Sequence, residues 1–358
     1  MRLYCIPQAV IFSHHPIISR ILYKTMTDSI RIGSRGSQLA LWQANHIADK
    51  LRALGHAVQI EIIRTSGDRM QQPEETIGPD ASSLLSLAPL ADGKGIFIKE
   101  IEEALAEGRI DLAIHSLKDL PTEIDPRFTL AAIPPRVDPR DAWVCEPYWA
   151  LHTLPAGGRI GTNSPRRRAQ ILALRPDVTF VEMRGNIDTR LRRLAEGACD
   201  ALVLAAAGLD RLARTESVHQ RFSIEEICPA PGQGALALET RASVSAQDVR
   251  ICKIVATLDD SATRFSVETE RSALDALGGG CQLPIGVHCA PVYDVADPHH
   301  SSTPIAWKIQ AQVVAPDGER IIGHASVAPA EVAARALGLK VAEDLKVRGA
   351  MELLAISV

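Results

Sequence analysis

No apolar run in the 358-residue sequence reaches the roughly 18 residues that a bilayer-spanning helix needs. Aromatic residues make up 4%, too few for the stacking platforms that grip single-stranded nucleic acid. Cationic charge is not in excess: 39 Lys and Arg stand against 43 Asp and Glu, a net charge of -4, which argues against a dedicated nucleic-acid binder. The seven cysteines (Cys5, Cys145, Cys199, Cys228, Cys252, Cys281 and Cys289) form no C-x-x-C pair. Their spacing fits neither a zinc site nor a secreted disulfide framework, and a reducing, cytoplasmic setting suits them best. Lysine is the scarcest cation, with 9 residues against 30 arginines and none between Lys118 and Lys253.

What is present is an ordinary globular balance of 46% apolar and 23% charged residues. At roughly 150 residues per domain the length suggests two to three domains. Arg159 to Arg221 holds 12 arginines against 7 acids. Arginine grips carboxylate or phosphate through a planar fork, so this stretch suggests a site for a small polyanion. Solvated helix faces are the plainer alternative. Residues 1–28 carry sparse basic residues interrupted by Pro7 and Pro16. They are expected to be an over-long start, with Met26 as the start, or a disordered extension.

A βα plan runs twice along the chain. A strand over 29–33 leads through Ser34-Arg35-Gly36-Ser37 into a helix with Ala40, Ala44, Ile47, Ala48 and Leu51 on one face. Strands are expected over 58–62, 110–115 and 128–133, and a helix over 97–107. Residues 70–91, with three prolines, read as a long loop or lid. Arg159-Ile160-Gly161-Thr162 then echoes Arg31-Ile32-Gly33-Ser34, and the order repeats with Ser164 as helix cap and Pro165 at the first helical position. This predicts two α/β domains with parallel sheets facing across a cleft, joined near Pro134-Pro135 and near 229–234. The expected boundaries are 29–134 with 231–258 for the first domain and 138–228 for the second. A third, α+β domain over 261–358 has one helix, a glycine loop, a hairpin turning at Pro316-Asp317-Gly318, and a final helix over 330–346.

Ligands of such sheets sit at strand carboxyl ends and helix N-termini. Arg35, Ser37, Ser164, Arg166, Arg167, Arg184 and Arg190 fall there, as does Lys118-Asp119 after the strand ending at His115. Asp119 reads either as half of an ordinary ion pair or as an acid that stabilises a cationic intermediate and manages a proton. Cys281 follows Gly278-Gly279-Gly280 and is either a nucleophile or attachment point, or a plain loop thiol.

Six motifs in order carry a resemblance: Gly33-Ser34-Arg35-Gly36-Ser37-Gln38-Leu39-Ala40, His115-Ser116-Leu117-Lys118-Asp119-Leu120-Pro121, Asp138-Pro139-Arg140-Asp141-Ala142, Arg184-Gly185-Asn186 with Thr189-Arg190, Pro231-Gly232-Gln233-Gly234-Ala235, and Gly279-Gly280-Cys281-Gln282. From about Ile30 onward the sequence resembles the porphobilinogen deaminase (hydroxymethylbilane synthase) family. The resemblance implies two domains like those of periplasmic binding proteins plus a smaller α+β domain. It implies a transferase of tetrapyrrole biosynthesis, monomeric and cytoplasmic. Such an enzyme adds four porphobilinogen units, with loss of ammonia, to a dipyrromethane primer and releases linear hydroxymethylbilane by hydrolysis. It implies Cys281 as the thioether attachment point and Asp119 as the catalytic acid. Arg35, Ser37, Lys94, Lys118, Ser164, Arg166, Arg167, Arg184, Arg190, Arg211 and Gln233 are implied as cofactor and substrate contacts. Asn163-Ser164-Pro165 departs from the family's usual Ser-Ser-Leu, and residues 70–91 are longer than its usual segment. Two rival readings are a non-catalytic two-lobed binding protein for an acidic ligand and a nucleic-acid binder using the arginine stretch. Neither requires Cys281.

Overall fold

The computed structural model describes residues 29–64, 98–280, 282–294 and 303–355. The expectations placed on residues 1–28, the 70–91 loop, Lys94 and Cys281 lie outside the described residues.

In the first domain β1 (Ile30–Ser34) buries Ile30 and Ile32 completely. The Ser37 hydroxyl then caps α1 (Gln38–Ala53) by accepting the Ala40 N–H at 3.4 Å. Ala44, Ile47, Ala48 and Leu51 form the buried stripe of α1, as their helical spacing dictates. β2 (Val58–Ile62), β1 and β3 (Leu112–Ser116) run parallel. α2 (Lys99–Ala106) covers them with Ile101, Ala104 and Leu105. After β4 (Phe128–Ala132) the chain crosses to the second domain. That domain contains β5 (Asp141–Val144), β6 (Arg159–Gly161), α3 (Pro165–Leu174), β7 (Thr179–Val181), α4 (Ile187–Ala195), β8 (Ala201–Ala205), α5 (Ala206–Arg211) and β9 (Gln220–Arg221). The chain returns as β10 (Leu236–Arg241) and α6 (Ala246–Ala256).

The two sheets have orders β2-β1-β3-β10-β4 and β7-β6-β8-β5-β9. They are mixed, which corrects the expectation of parallel sheets: β10 is antiparallel to β3 and β4, and β5 is antiparallel to β8 and β9. The reason lies in the connections. β5 and β10 each enter their sheet from the other domain, not through a crossover helix, so the βαβ geometry that enforces parallel pairing does not apply to them.

The third domain packs α7 (Ser261–Ala276) and α8 (Ala334–Val347) on an antiparallel sheet of β11 (Ile285–Val292), β12 (Ala306–Val314) and β13 (Ile321–Pro329). β11 was not foreseen, because its glycine and proline hide the alternation. The last long helix begins at Ala334, later than expected, and α9 (Ala350–Ala355) follows it.

Side chains knot the two inter-domain crossings to the third domain. Arg136 donates to the Gln233 carbonyl at 2.7 Å and to Glu270 Oε1 at 2.6 Å. Glu270 also accepts the Gly232 and Cys289 N–H groups, at 2.7 and 2.8 Å. Beside this knot Asp138 accepts from Arg140 and Arg221, both at 2.7 Å, while Arg221 also holds Asp210 at 2.6 Å. Burial alone would raise the Asp138 carboxyl, but the arginine hydrogen bonds reverse this and hold it at about 2. A depressed folded-state pKa gives stability that is full above the unfolded value, near 4, and lost as pH falls through about 2. Asp138→Asn is therefore expected to cost ~2 kcal/mol at pH 5, the difference closing as pH approaches 2. Thermal unfolding of both proteins across that range checks it. An equal gap at pH 5 and pH 2 would show that the charge of Asp138 contributes nothing.

Candidate active site

The carboxyl ends of β1 and β3 meet the N-termini of α3 and α4 across the cleft. Arg35 and Ser37 lie in the β1–α1 turn. Lys118 and Asp119 sit in a single 3-10 turn, Leu117–Asp119, directly after β3. Leu117 anchors that turn: it is fully buried, and its N–H donates to the Ala235 carbonyl at 3.1 Å. Lys118 is thereby half-buried and Asp119 left exposed in the cleft. Burial pushes the Lys118 ammonium down, and Asp119 opposes that shift.

On the opposite lobe the Ser164 hydroxyl caps α3 by accepting the Arg167 N–H at 3.4 Å, with Pro165 at the first position. Arg166 and Arg167 occupy the first turn of α3, where no acid stands. Two cations at the positive end of a helix are unfavourable unless an anion joins them. The protein supplies one, Asp141, at the start of β5. It lies 2.8 Å from Arg166 Nη1 and 2.6 Å from Arg167 Nη2, and all three are buried. Burial would raise the Asp141 carboxyl, but the two guanidinium groups outweigh it and hold it far below the usual range. Burial likewise pushes Arg167 down. Asn186 caps α4, and Arg190, one turn in, donates to the Gly185 carbonyl at 2.9 Å. Arg211 closes α5 and donates to the Gly234 carbonyl at 2.8 Å. Burial pushes both Arg190 and Arg211 down to about 10. Gly234 has φ +90°, and a Cβ there would lie 2.6 Å from the Val137 carbonyl oxygen, so only glycine lets the two crossings touch.

Two cavities share this floor. One, about 280 Å³, is lined by Arg35, Lys118, Arg167, Arg190 and Arg211 against two acids, Asp119 and Asp188. The other, about 220 Å³, is lined by Lys118, Arg166 and Arg167 against Asp119 alone. Gly280 and Gln282, the neighbours of Cys281, also line the second cavity. Gln233 lines both and is spent between the lobes. Its amide nitrogen donates to Pro139 O and Asp141 Oδ1, while its oxygen lies 3.5 Å from both Lys118 Nζ and Arg167 Nη2. It thus bridges the lobes. Arg184 is not drawn in: its side chain is 84% exposed, 3.6 Å from Glu182.

Sequence reasoning missed Asp141, whose burial between two arginines depends on the sheet. It also missed His115 and Glu239, buried 3.1 Å apart on β3 and β10. A histidine inside an otherwise apolar strand was the available signal for the second pair. A polycarboxylate fits this cleft. Cations outnumber acids in both cavities, and two buried guanidinium atoms at their walls, Arg166 Nε and Arg211 Nε, have no hydrogen-bond partner.

Fold and cleft together define a two-lobed α/β protein with a cleft rich in cations, where Asp119 lines both cavities. Residues 30–248 match the porphobilinogen deaminase family, dipyromethane cofactor binding domain, and residues 264–347 match its C-terminal domain. The porphobilinogen deaminase of Mycobacterium marinum is 43% identical over 325 residues, 91% of this chain and 96% of its own. That of Roseiflexus sp. is 46% identical over 264 residues, 73% of this chain and 81% of its own. Among solved structures, a nutrient binding protein from Burkholderia cenocepacia bound to methionine aligns with a TM-score of 0.37 and 12% identity over 63% of this chain and 91% of its own. The chain belongs to the porphobilinogen deaminase family.

Proposed function

We propose that the chain is a hydroxymethylbilane synthase, joining four porphobilinogen molecules head to tail and releasing the linear tetrapyrrole by hydrolysis. Family membership supports the porphobilinogen deaminase activity. One observation carries the residue-level reading: arginines from both lobes line the cavities that share the carboxylate Asp119. Dipyrromethane, when bound, supplies the free pyrrole α-carbon that accepts the incoming ring. Arg35, Arg190 and Arg211 reach acetate and propionate groups through their planar forks, while Arg166 and Arg167, held against Asp141, add positive charge at the wall of the cleft. Ser164 fixes the helix start that carries Arg166 and Arg167, and Ser37 fixes the start of α1 beside Arg35. When the aminomethyl C–N bond of porphobilinogen breaks and ammonia leaves, the pyrrole ring becomes cationic. Asp119 stabilises that cation through its charge and takes hydrogen bonds from ring N–H groups. The proton lost when the new C–C bond forms leaves by way of Asp119. Lys118 sets the local charge beside it. Lys94 and Arg184 are retained as contacts of a longer bound chain.

Cys281 is the proposed attachment point. The buried thiols support this by contrast: burial pushes Cys289 up to about 12 and raises Cys145, Cys199 and Cys228, and thiols so raised are poor nucleophiles. The intact mass of purified protein tests the reading. A dipyrromethane adduct is expected on the peptide containing Cys281, with a pyrrole colour reaction after denaturation, and Cys281→Ala should lack both adduct and porphobilinogen turnover. An adduct on Cys289 or Cys252, or an active Cys281→Ala, would overturn the assignment. A cytoplasmic monomer is part of the same proposal. Light scattering and cell fractionation check it.

A further inference from the structure

Arg211, a buried cation of the first cavity, sits on the second domain yet touches an aromatic ring of the first. Its guanidinium carbon lies 5.9 Å from the centre of the Trp42 indole, within the range of a cation–π contact. Trp42 stands on α1 and is half-buried. Its indole also stacks on His46, with ring centres 4.9 Å apart and planes 10° apart. α1 and α5 pack against each other where the lobes meet. The neighbouring acid, Asp210, is already held by Arg221 at 2.6 and 2.9 Å, and Arg211 Nε has no partner. Two things therefore orient the guanidinium: the Gly234 carbonyl at 2.8 Å and the face of Trp42.

We propose that Trp42 is a positioning residue: its indole face, carried by one lobe, holds the Arg211 guanidinium of the other lobe in the orientation that receives a ligand carboxylate. A cation against an aromatic face keeps its charge and its in-plane N–H donors free, which a carboxylate partner would consume. The arrangement suits an arginine that must be fixed but left chemically available. It also makes the affinity of the cleft depend on contact between the lobes at α1 and α5.

This inference rests on the reading of the cleft as a porphobilinogen site, and the test separates the two. KM and kcat for porphobilinogen are measured for the parent, Trp42→Leu and Trp42→Phe, each also in the Arg211→Gln background. Trp42→Leu is expected to raise KM about 3- to 30-fold, with a smaller change in kcat. Trp42→Phe, which keeps a ring and protects against loss of packing, should recover most of that. In the Arg211→Gln background the Trp42 substitutions should shift KM less than twofold, since coupled residues are non-additive. An unchanged KM, or the same shift in both backgrounds, would overturn the inference. A parent protein that does not turn over porphobilinogen would instead sink the functional reading. The contact is then read from indole emission: Arg211→Gln should change it in the parent and not in Trp42→Phe, and no change in the parent overturns the inference.

Discussion

Asp119→Asn is expected to lower porphobilinogen turnover by about 100-fold or more while leaving the protein folded. The side chain is exposed in the cleft at the end of the 3-10 turn after β3, so an amide of the same size is accommodated without repacking. Asparagine keeps the size and one acceptor oxygen but removes the negative charge beside the developing cation. It also removes the base that carries the proton away. Lys118, next to it and already pushed down by burial, loses its nearest compensating charge, so the deficit falls on the reacting centre. Steady-state turnover together with a thermal melt checks the prediction. Intact mass is measured on the same sample, because failure to assemble the cofactor would also abolish turnover. A variant that carries the adduct and works within a few-fold of the parent would reduce Asp119 to a structural residue.

Asp141→Asn is expected to act on the fold itself. Arg166 and Arg167 are 4% and 6% exposed, and Asp141 is the carboxylate that lies against both. Removing one member of a buried ion cluster strands the remaining charges and typically costs about 3–5 kcal/mol. The amide also puts an N–H₂ group near the Gln233 amide nitrogen, which now donates to Asp141 Oδ1 at 2.9 Å. The lobes should loosen where Gln233 bridges them. Denaturant unfolding measures the loss, and added sulfate should restore more stability to the variant than to the parent, because an anion in the adjoining cavities offsets the uncompensated arginines. A variant as stable as the parent, with no response to sulfate, would show that the two arginines do not depend on Asp141.

Local chemistry made much of this molecule readable from its sequence. Ser37, Ser164 and Asn186 are cap residues, and each starts a helix whose first turn faces the cleft. The stripe Ala44, Ile47, Ala48, Leu51 could bury in only one way. Pairings across long stretches of chain were not readable. β10 and β5 carry no local mark of antiparallel entry. Asp141 lies 26 residues from Arg167 in sequence and 2.6 Å from it in space. Arg184 shows another limit, since its place after a strand suggested a ligand contact while its side chain is exposed beside Glu182.

The exchange of strands between lobes bears on how the chain is made. β4 pairs only with β10 in the first sheet, yet β4 ends at Ala132 and β10 begins at Leu236. At about 5–20 residues per second of synthesis, β4 waits about 5–20 s on the ribosome for its partner, and the free edge of β3 waits with it. The whole second lobe is translated in that interval, and the partners of its β5, namely β8 and β9, lie within that same stretch. The lobe made second can therefore complete its sheet first, and the lobe begun first must be held open, its apolar strands shielded, until the chain comes back.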